Sequence, residues 1–280
     1  MLSENQQLGD VALDSWESNA TFWDGSIGKD GNMYWKKLQE PSLRRLIGTD
    51  LNGQRALDLA TGNGIGARWL AKQGAAVTAT DGSENMLQIA RSRTVGEEYP
   101  TMAFEKLDVT QVEDFERFIA ANGENNFDIV LMNMAIMDVS TLEPLVQSLP
   151  KLLKPNGVFV ATVLHPVFMT SGASRNVDLR YEGETGDLKL VRTKVIEKYL
   201  DIPPYKGIAI PGQPKRQIYF HRPMDELFTT FFRAGLVMDA MEEPAFSAED
   251  EEKGRIESSR NYTQLPAILS FRMRMPYKTA

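Results

Sequence analysis

The chain has 280 residues, 42% of them hydrophobic, enough to bury the core of one elaborated α/β domain rather than two independent ones. Its formal charge of −7 and sequence pI near 5.1 oppose the basic field that a phosphate-binding surface needs, which argues against nucleic acid as a partner. The absence of cysteine excludes disulfides, thiolate metal sites and a cysteine nucleophile, and no run approaches the roughly 20 apolar residues that cross a bilayer, so a soluble cytoplasmic protein with no membrane partner is expected.

The stretch up to about residue 48 concentrates Trp16, Phe22, Trp23, Tyr34 and Trp35 and reads as an N-terminal cap over residues 1–50. From Gln54 onward, short apolar runs alternate with helical-period segments, the pattern of βαβ units on a parallel sheet. Arg55 to Ala60 reads as the first strand; GIGARWLAKQG is a helix stopped by Gly74, and AAVTATD is the second strand. Ser83 is placed to cap the helix SENMLQIARSR, after which Met102 to Val109 is the third strand. QVEDFERFIAANG is an amphipathic helix ending at Asn122-Gly123, and FDIVLMNM is apolar enough for the centre of a sheet. TLEPLVQSLPKLLKPNG predicts a helix interrupted by Pro150, and VFVATVL a fifth strand that closes a core over residues 51–164. Residues 165–222, rich in Gly, Pro, Tyr and charge, leave this rhythm; a structureless loop of that length is unusual, so a small hairpin or lid is expected from LKLVRTKVIEKYL and RQIYFH, capping a substrate. The helix DELFTTFFRAG and the strands LVMDAMEE and AILSFRMRM complete the sheet over residues 223–280, giving a single domain.

Gly62, Gly64 and Gly66 stand at the turn from the first strand into the first helix of the alternation, where missing β-carbons let a ligand approach backbone N–H groups. Gly62, Gly64 and Ala67 also satisfy the dinucleotide pattern G-x-G-x-x-A, so glycines alone do not choose the ligand. Asp58, inside the preceding strand, favours a ligand carrying an ammonium over one presenting a pyrophosphate, because a buried carboxylate needs a partner. Asp81 ends the second strand, where a carboxylate accepts both hydrogen bonds of a ribose diol. Asp108 or the Val109 N–H at the mouth of the third strand suits an adenine edge, with Met86 over the ring.

Taken together, LDLATGNGIGARWL, TATDGSENML, LDV, MNMAIMD and LLKPNG, in that order between Gln54 and Pro166, resemble the class I S-adenosylmethionine-dependent methyltransferases, in particular the small-molecule branch that includes menaquinone-biosynthesis and natural-product enzymes. The resemblance implies a doubly wound Rossmann-like seven-stranded sheet in the order 3-2-1-4-5-7-6 with the last strand antiparallel. It also implies S-adenosylmethionine as cofactor, held by Asp58, Ala60, Gly62, Gly64, Asp81, Gly82, Met86, Asp108 and Val109, with Asn133 and Met134 beside its sulfonium arm. Ala60 departs from the family, many members of which have glycine there. The reaction implied is in-line methyl transfer to O, N or S of a small, hydrophobic metabolite, a chemistry that needs few catalytic residues. Trp23, Tyr34, Tyr219 and Arg222 are the candidates for contacting the acceptor, and His221 and His165 for acid–base work; neither histidine has metal-ligand spacing, and no metal is expected. Three alternatives stay open: an S-adenosylmethionine-binding subunit or sensor without turnover, a fold turned to other chemistry, and a nicotinamide-dependent oxidoreductase, which Asp58 and Asp108 argue against.

Overall fold

A computed structural model describes residues 4–96, 99, 101–183 and 186–276 of the chain. The elements in chain order are α1 (Glu4–Ile27), a π-helical turn (Trp35–Gln39), α2 (Glu40–Ile47), β1 (Arg55–Leu59), α3 (Ile65–Lys72), β2 (Ala76–Asp81), α4 (Glu84–Ser92), β3 (Thr101–Lys106), α5 (Val112–Asn122), β4 (Phe127–Asn133), α6 (Glu143–Leu152), β5 (Leu153–Leu164), β6 (Ala173–Glu182), β7 (Asp187–Ile196), β8 (Tyr205–Gly207), β9 (Gln217–Tyr219), α7 (Met224–Arg233), β10 (Val237–Glu242) and β11 (Ile268–Arg274). The first three residues of the expected N-terminal cap lie outside the described residues.

The apolar runs become central strands because both faces of each are buried. Along β1, Leu57 and Leu59 join one core cluster with Phe115, Phe159 and Phe231, while Ala56 joins the other with Trp69, Leu70 and Ile129. Seven strands lie in the order β3-β2-β1-β4-β5-β11-β10. β11 runs antiparallel to both β5 and β10, and the remaining neighbours in β1 to β5 are parallel. This is the 3-2-1-4-5-7-6 arrangement expected from the resemblance. Its order reverses between β1 and β4, so the carboxyl ends of β1, β2 and β4 open a crevice at the switch point. No helix of the described residues is long and apolar enough to cross a membrane.

Several local expectations are corrected. The first strand stops at Leu59, because Ala60 already turns into the left-handed region at φ +51°. The third stops at Lys106, leaving Leu107 to Val109 in the loop beyond it. Pro150 does not interrupt its helix: α6 runs through it to Leu152 and passes directly into β5, since a proline in the final turn removes little of the remaining hydrogen bonding. The segment LKLVRTKVIEKYL does not pair with RQIYFH. β7 pairs instead with the preceding β6 in a long hairpin, and β9 pairs with β8. Local pairing closes the shorter loop, and Gly183 and Gly186, at φ +64° and +67°, supply the positive dihedrals a tight reversal needs.

Candidate active site

The turn between β1 and α3 is held from behind by Asp58. Its buried carboxylate accepts from Thr61 Oγ1 at 2.5 Å and from the Ala67 N–H, and burial pushes its pKa up to about 7. Gly66 permits this: a β-carbon there would stand 3.1 Å from Asp58 Oδ2. Gly64 is likewise a packing glycine, its missing β-carbon facing Ala90 and the Arg68 guanidinium. Arg68 is itself buried and donates to the Asn63 carbonyl at 2.6 Å and the Lys29 carbonyl at 3.0 Å, tying the turn down. Only Gly62 has open space where a β-carbon would sit.

Asp81 closes the other side. Oδ2 accepts from the Gly62 N–H at 2.8 Å and Oδ1 from the Ser83 N–H at 2.9 Å, so one side chain bridges the ends of β1 and β2. Burial pushes its pKa up to about 6, the two backbone donors pull against that, and the nearby Asp108 and Glu17 charges add to the rise. Ser83 caps α4 as expected, accepting from the Met86 N–H, while its hydroxyl donates to Glu17 of α1 at 2.5 Å. Asp108 folds back on its own loop, accepting from Thr110 N and Oγ1 at 2.9 and 2.7 Å.

Gly62, Asp81 and Asp108 line one cavity of about 570 Å³ over the carboxyl ends of the strands. Of the residues expected around a cofactor, Ala60, Gly62, Asp81, Gly82, Met86, Asp108, Val109, Asn133 and Met134 line it; Asp58 and Gly64 do not. The Asn133 amide is engaged on both sides, donating to Gln39 Oε1 at 3.0 Å and accepting from Thr162 Oγ1 at 2.7 Å. Met134 sits at φ +55°.

Of the expected acceptor contacts, Trp23, Tyr34 and Tyr219 line the cavity, whereas Arg222 is half-buried outside it, donating to the Ile136 and Val139 carbonyls at 3.0 and 2.8 Å and so bracing the loop after β4. Neither histidine lines it. His165 is buried between Glu243, 2.8 Å from Nε2, and the Val167 N–H, which donates to Nδ1 at 3.3 Å. His221 Nε2 donates to the Tyr199 carbonyl at 2.6 Å. Burial lowers both pKa values.

The sequence reading missed Asp138, Tyr205 and Asn63 on the cavity wall. Asp138, in a short 3-10 turn after β4, is buried and lines the cavity, its Oδ1 accepting from Gln217 Nε2 at 3.2 Å; burial drives its pKa well above the carboxylate range. Tyr205 stacks on Tyr219 with ring centroids 5.2 Å apart. Trp16 and Trp23 of α1 meet at 5.2 Å, and two buried polar atoms on the lining, Trp23 Nε1 and Asn63 Oδ1, have no hydrogen-bond partner. Among these, only the aromatic density of the N-terminal segment was a signal visible in the sequence.

Residues 57–161 match the profile of the family described as methyltransferase domain. The chain is 29% identical over 164 residues to the ubiquinone biosynthesis O-methyltransferase of Pasteurella multocida, an alignment spanning 56% of this chain and 66% of that protein. It is 31% identical over 140 residues to a demethylmenaquinone methyltransferase of Tropheryma whipplei, covering 48% of this chain and 54% of that one. The chain thus spans less than two thirds of these relatives' length. In fold it is similar to an S-adenosylmethionine-dependent methyltransferase from Mesorhizobium loti, with a TM-score of 0.63 at 23% identity, covering 88% of this chain and all of that one.

Proposed function

We propose, because residues 57–161 match the methyltransferase domain family and the fold is similar to that of an S-adenosylmethionine-dependent methyltransferase, that this protein transfers the methyl group of S-adenosylmethionine to O, N or S of a small, hydrophobic metabolite. The observation that carries the reading is Asp81: a buried carboxylate, oriented by two backbone N–H groups, opens at the switch point onto a cavity whose far wall is aromatic.

The lining fits the cofactor. Asp81 keeps lone pairs for a ribose diol, since each oxygen accepts one backbone bond. Trp23 Nε1 and Asn63 Oδ1, a donor and an acceptor without partners, match the carboxylate and ammonium of a methionyl group. The alternative of a dinucleotide loses support, because the N-terminal turn of α3 that a pyrophosphate would approach is backed by the Asp58 carboxylate and packed on Ala90 at Gly64.

When bound, S-adenosylmethionine supplies an electrophilic methyl on its sulfonium. The chain's own work is to orient the acceptor and receive its proton. Tyr34, Tyr205 and Tyr219 form aromatic walls for the acceptor. Asp138, the carboxyl on this wall, would in its ionised form take the proton of the acceptor's nucleophilic O, N or S. His165 and His221, committed to Glu243 and to the Tyr199 carbonyl, have no part in this step.

Calorimetric titration with S-adenosylhomocysteine tests the reading. The wild-type chain should bind it and not NAD, and Asp81→Ala should weaken binding at least about tenfold, because a hydrogen bond to a charged group is worth about 1.5–3 kcal/mol. An unchanged affinity in a folded Asp81→Ala protein removes the assignment of Asp81.

A further inference from the structure

The hairpin of β6 and β7 brings two cations to the cavity wall. Arg175 and Lys194 are directly opposed across the hairpin, and both line the cavity together with Ala173 of the same face. Like charges placed opposite one another in a sheet repel, and proteins ordinarily avoid the arrangement or insert an acid. The solvent end of this same hairpin also opposes two cations, Arg180 and Lys189, but supplies each with an acid: Lys189 pairs with Glu182 at 2.7 Å and Arg180 with Asp178 at 3.7 Å. The cavity end does not. Among the described residues, no carboxylate lies within ion-pair distance of Arg175 or Lys194.

Both cations are positioned instead by neutral acceptors. Arg175 Nη1 donates to the Glu257 carbonyl at 3.1 Å. Lys194 Nζ donates to the Phe168 carbonyl, lies 3.0 Å from Met169 Sδ and 5.7 Å from the centre of the Tyr262 ring. Each therefore retains N–H donors after its local bonds are made, the guanidinium having five and the ammonium three. Burial, with Arg175 alongside, pulls the Lys194 pKa down to about 8, so the pair holds its charge at neutral pH at a cost that an anion between them would remove.

We propose that the acceptor carries an oxyanion, a carboxylate or phosphate, bound between Arg175 and Lys194 while its ring lies against Tyr205 and Tyr219 and its nucleophile faces Asp138. This rests on the methyltransferase reading for what happens to the ligand, though not for where the anion binds. The site distinguishes an acidic aromatic metabolite from a neutral one, because an uncharged group there leaves the half-buried Lys194 ammonium and the Arg175 guanidinium opposite it without an anionic partner.

Trp16, Trp23 and Trp35 line the cavity, so tryptophan emission reports its occupancy. The full chain is titrated with 4-hydroxybenzoate, 4-hydroxyphenyl phosphate and the neutral 4-hydroxybenzamide, with and without saturating S-adenosylhomocysteine. At least one of the two anions should bind tenfold or more tighter than the amide, weakening as salt is raised, and the better of the two identifies the oxyanion. Lys194→Met and, separately, Arg175→Gln should erase that preference while leaving S-adenosylhomocysteine affinity and the amide's affinity unchanged. Equal binding of anions and amide by the wild type, or a preference surviving in both folded variants, overturns the proposal. Failure of S-adenosylhomocysteine to bind would count against the cofactor reading alone, because the anion preference is read without it.

Discussion

Ala60 holds φ +51° at the point where β1 turns towards α3, a conformation that costs a residue with a β-carbon roughly 1–2 kcal/mol. Glycine would remove that cost and lose about 0.5–1 kcal/mol through greater freedom of the unfolded chain. Ala60→Gly should therefore be more stable by about 0.5 kcal/mol, read as a higher urea midpoint at unchanged slope; a lower midpoint would mean that the alanine methyl makes a packing contribution larger than its strain. Asp138 is the proposed proton acceptor on the cavity wall. Asp138→Asn keeps a polar partner for Gln217 but cannot take a proton, so turnover should fall about 10²-fold with S-adenosylhomocysteine affinity unchanged. Because burial raises the Asp138 pKa, wild-type activity should climb with pH as the carboxyl ionises, and the variant should lose that limb of the profile. A near-normal rate in Asp138→Asn would leave alignment alone as the source of catalysis.

At the scale of elements, α1 ties together the segments that follow β1 and β2. Its Glu17 accepts from the Ser83 hydroxyl and the Asn85 N–H at the start of α4, its Asp24 forms an ion pair with Arg93 at 2.7 Å and accepts from Asn63 Nδ2, and its Leu13 packs where a β-carbon on Gly82 would be. The helix thus braces the loops that carry Asp81 and Asn63. Removing residues 1–27 should lower S-adenosylhomocysteine affinity at least about tenfold as well as turnover, whereas a helix serving only the acceptor would leave cofactor binding intact. The π-helical turn Trp35–Gln39 has a related effect: widening the helix there brings Gln39 to Asn133 at the end of β4 and buries Trp35 under α3.

Across the whole molecule, buried carboxyls set the pH dependence of stability. Asp58 and Asp81, pushed up to about 7 and about 6, and Asp138, also raised, hold protons in the folded state that the unfolded chain releases near pH 4. Folding stability contributed by Asp58 and Asp81 is therefore greatest below pH 4, declines as pH rises, and levels off above about 7, and Asp138 acts in the same direction. Acids depressed by cationic partners, such as Asp250 beside Lys37, act in the opposite sense and lose their contribution only as pH falls. Asp58→Asn should flatten the decline: denaturant melts at pH 4.5, 6 and 8 should show the variant gaining on the wild type at each step, and a constant difference would mean that Asp58 stays ionised in the fold.

The strands and the residues at their carboxyl ends were legible in the sequence because they depend on local pattern, whereas the strand order was implied by the family resemblance. Period-two burial makes the strands, parallel connections force their carboxyl ends to one edge, and residues at those ends, Asp81, Asp108 and Asn133 among them, must then meet. What a pattern does not contain is the direction in which a side chain faces within a turn, and for that reason Asp58 and Gly64, sharing a motif with Gly62, proved to support the turn from behind. The placement of Asp138 and Lys194 on the cavity wall was decided by tertiary structure alone. Asp138 meets Gln217 across 79 positions, and Lys194 reaches the cavity only because β7 folds back on β6 rather than pairing with β9. Contacts of that range arise from how an insertion packs on a finished sheet, and no short-range periodicity encodes them.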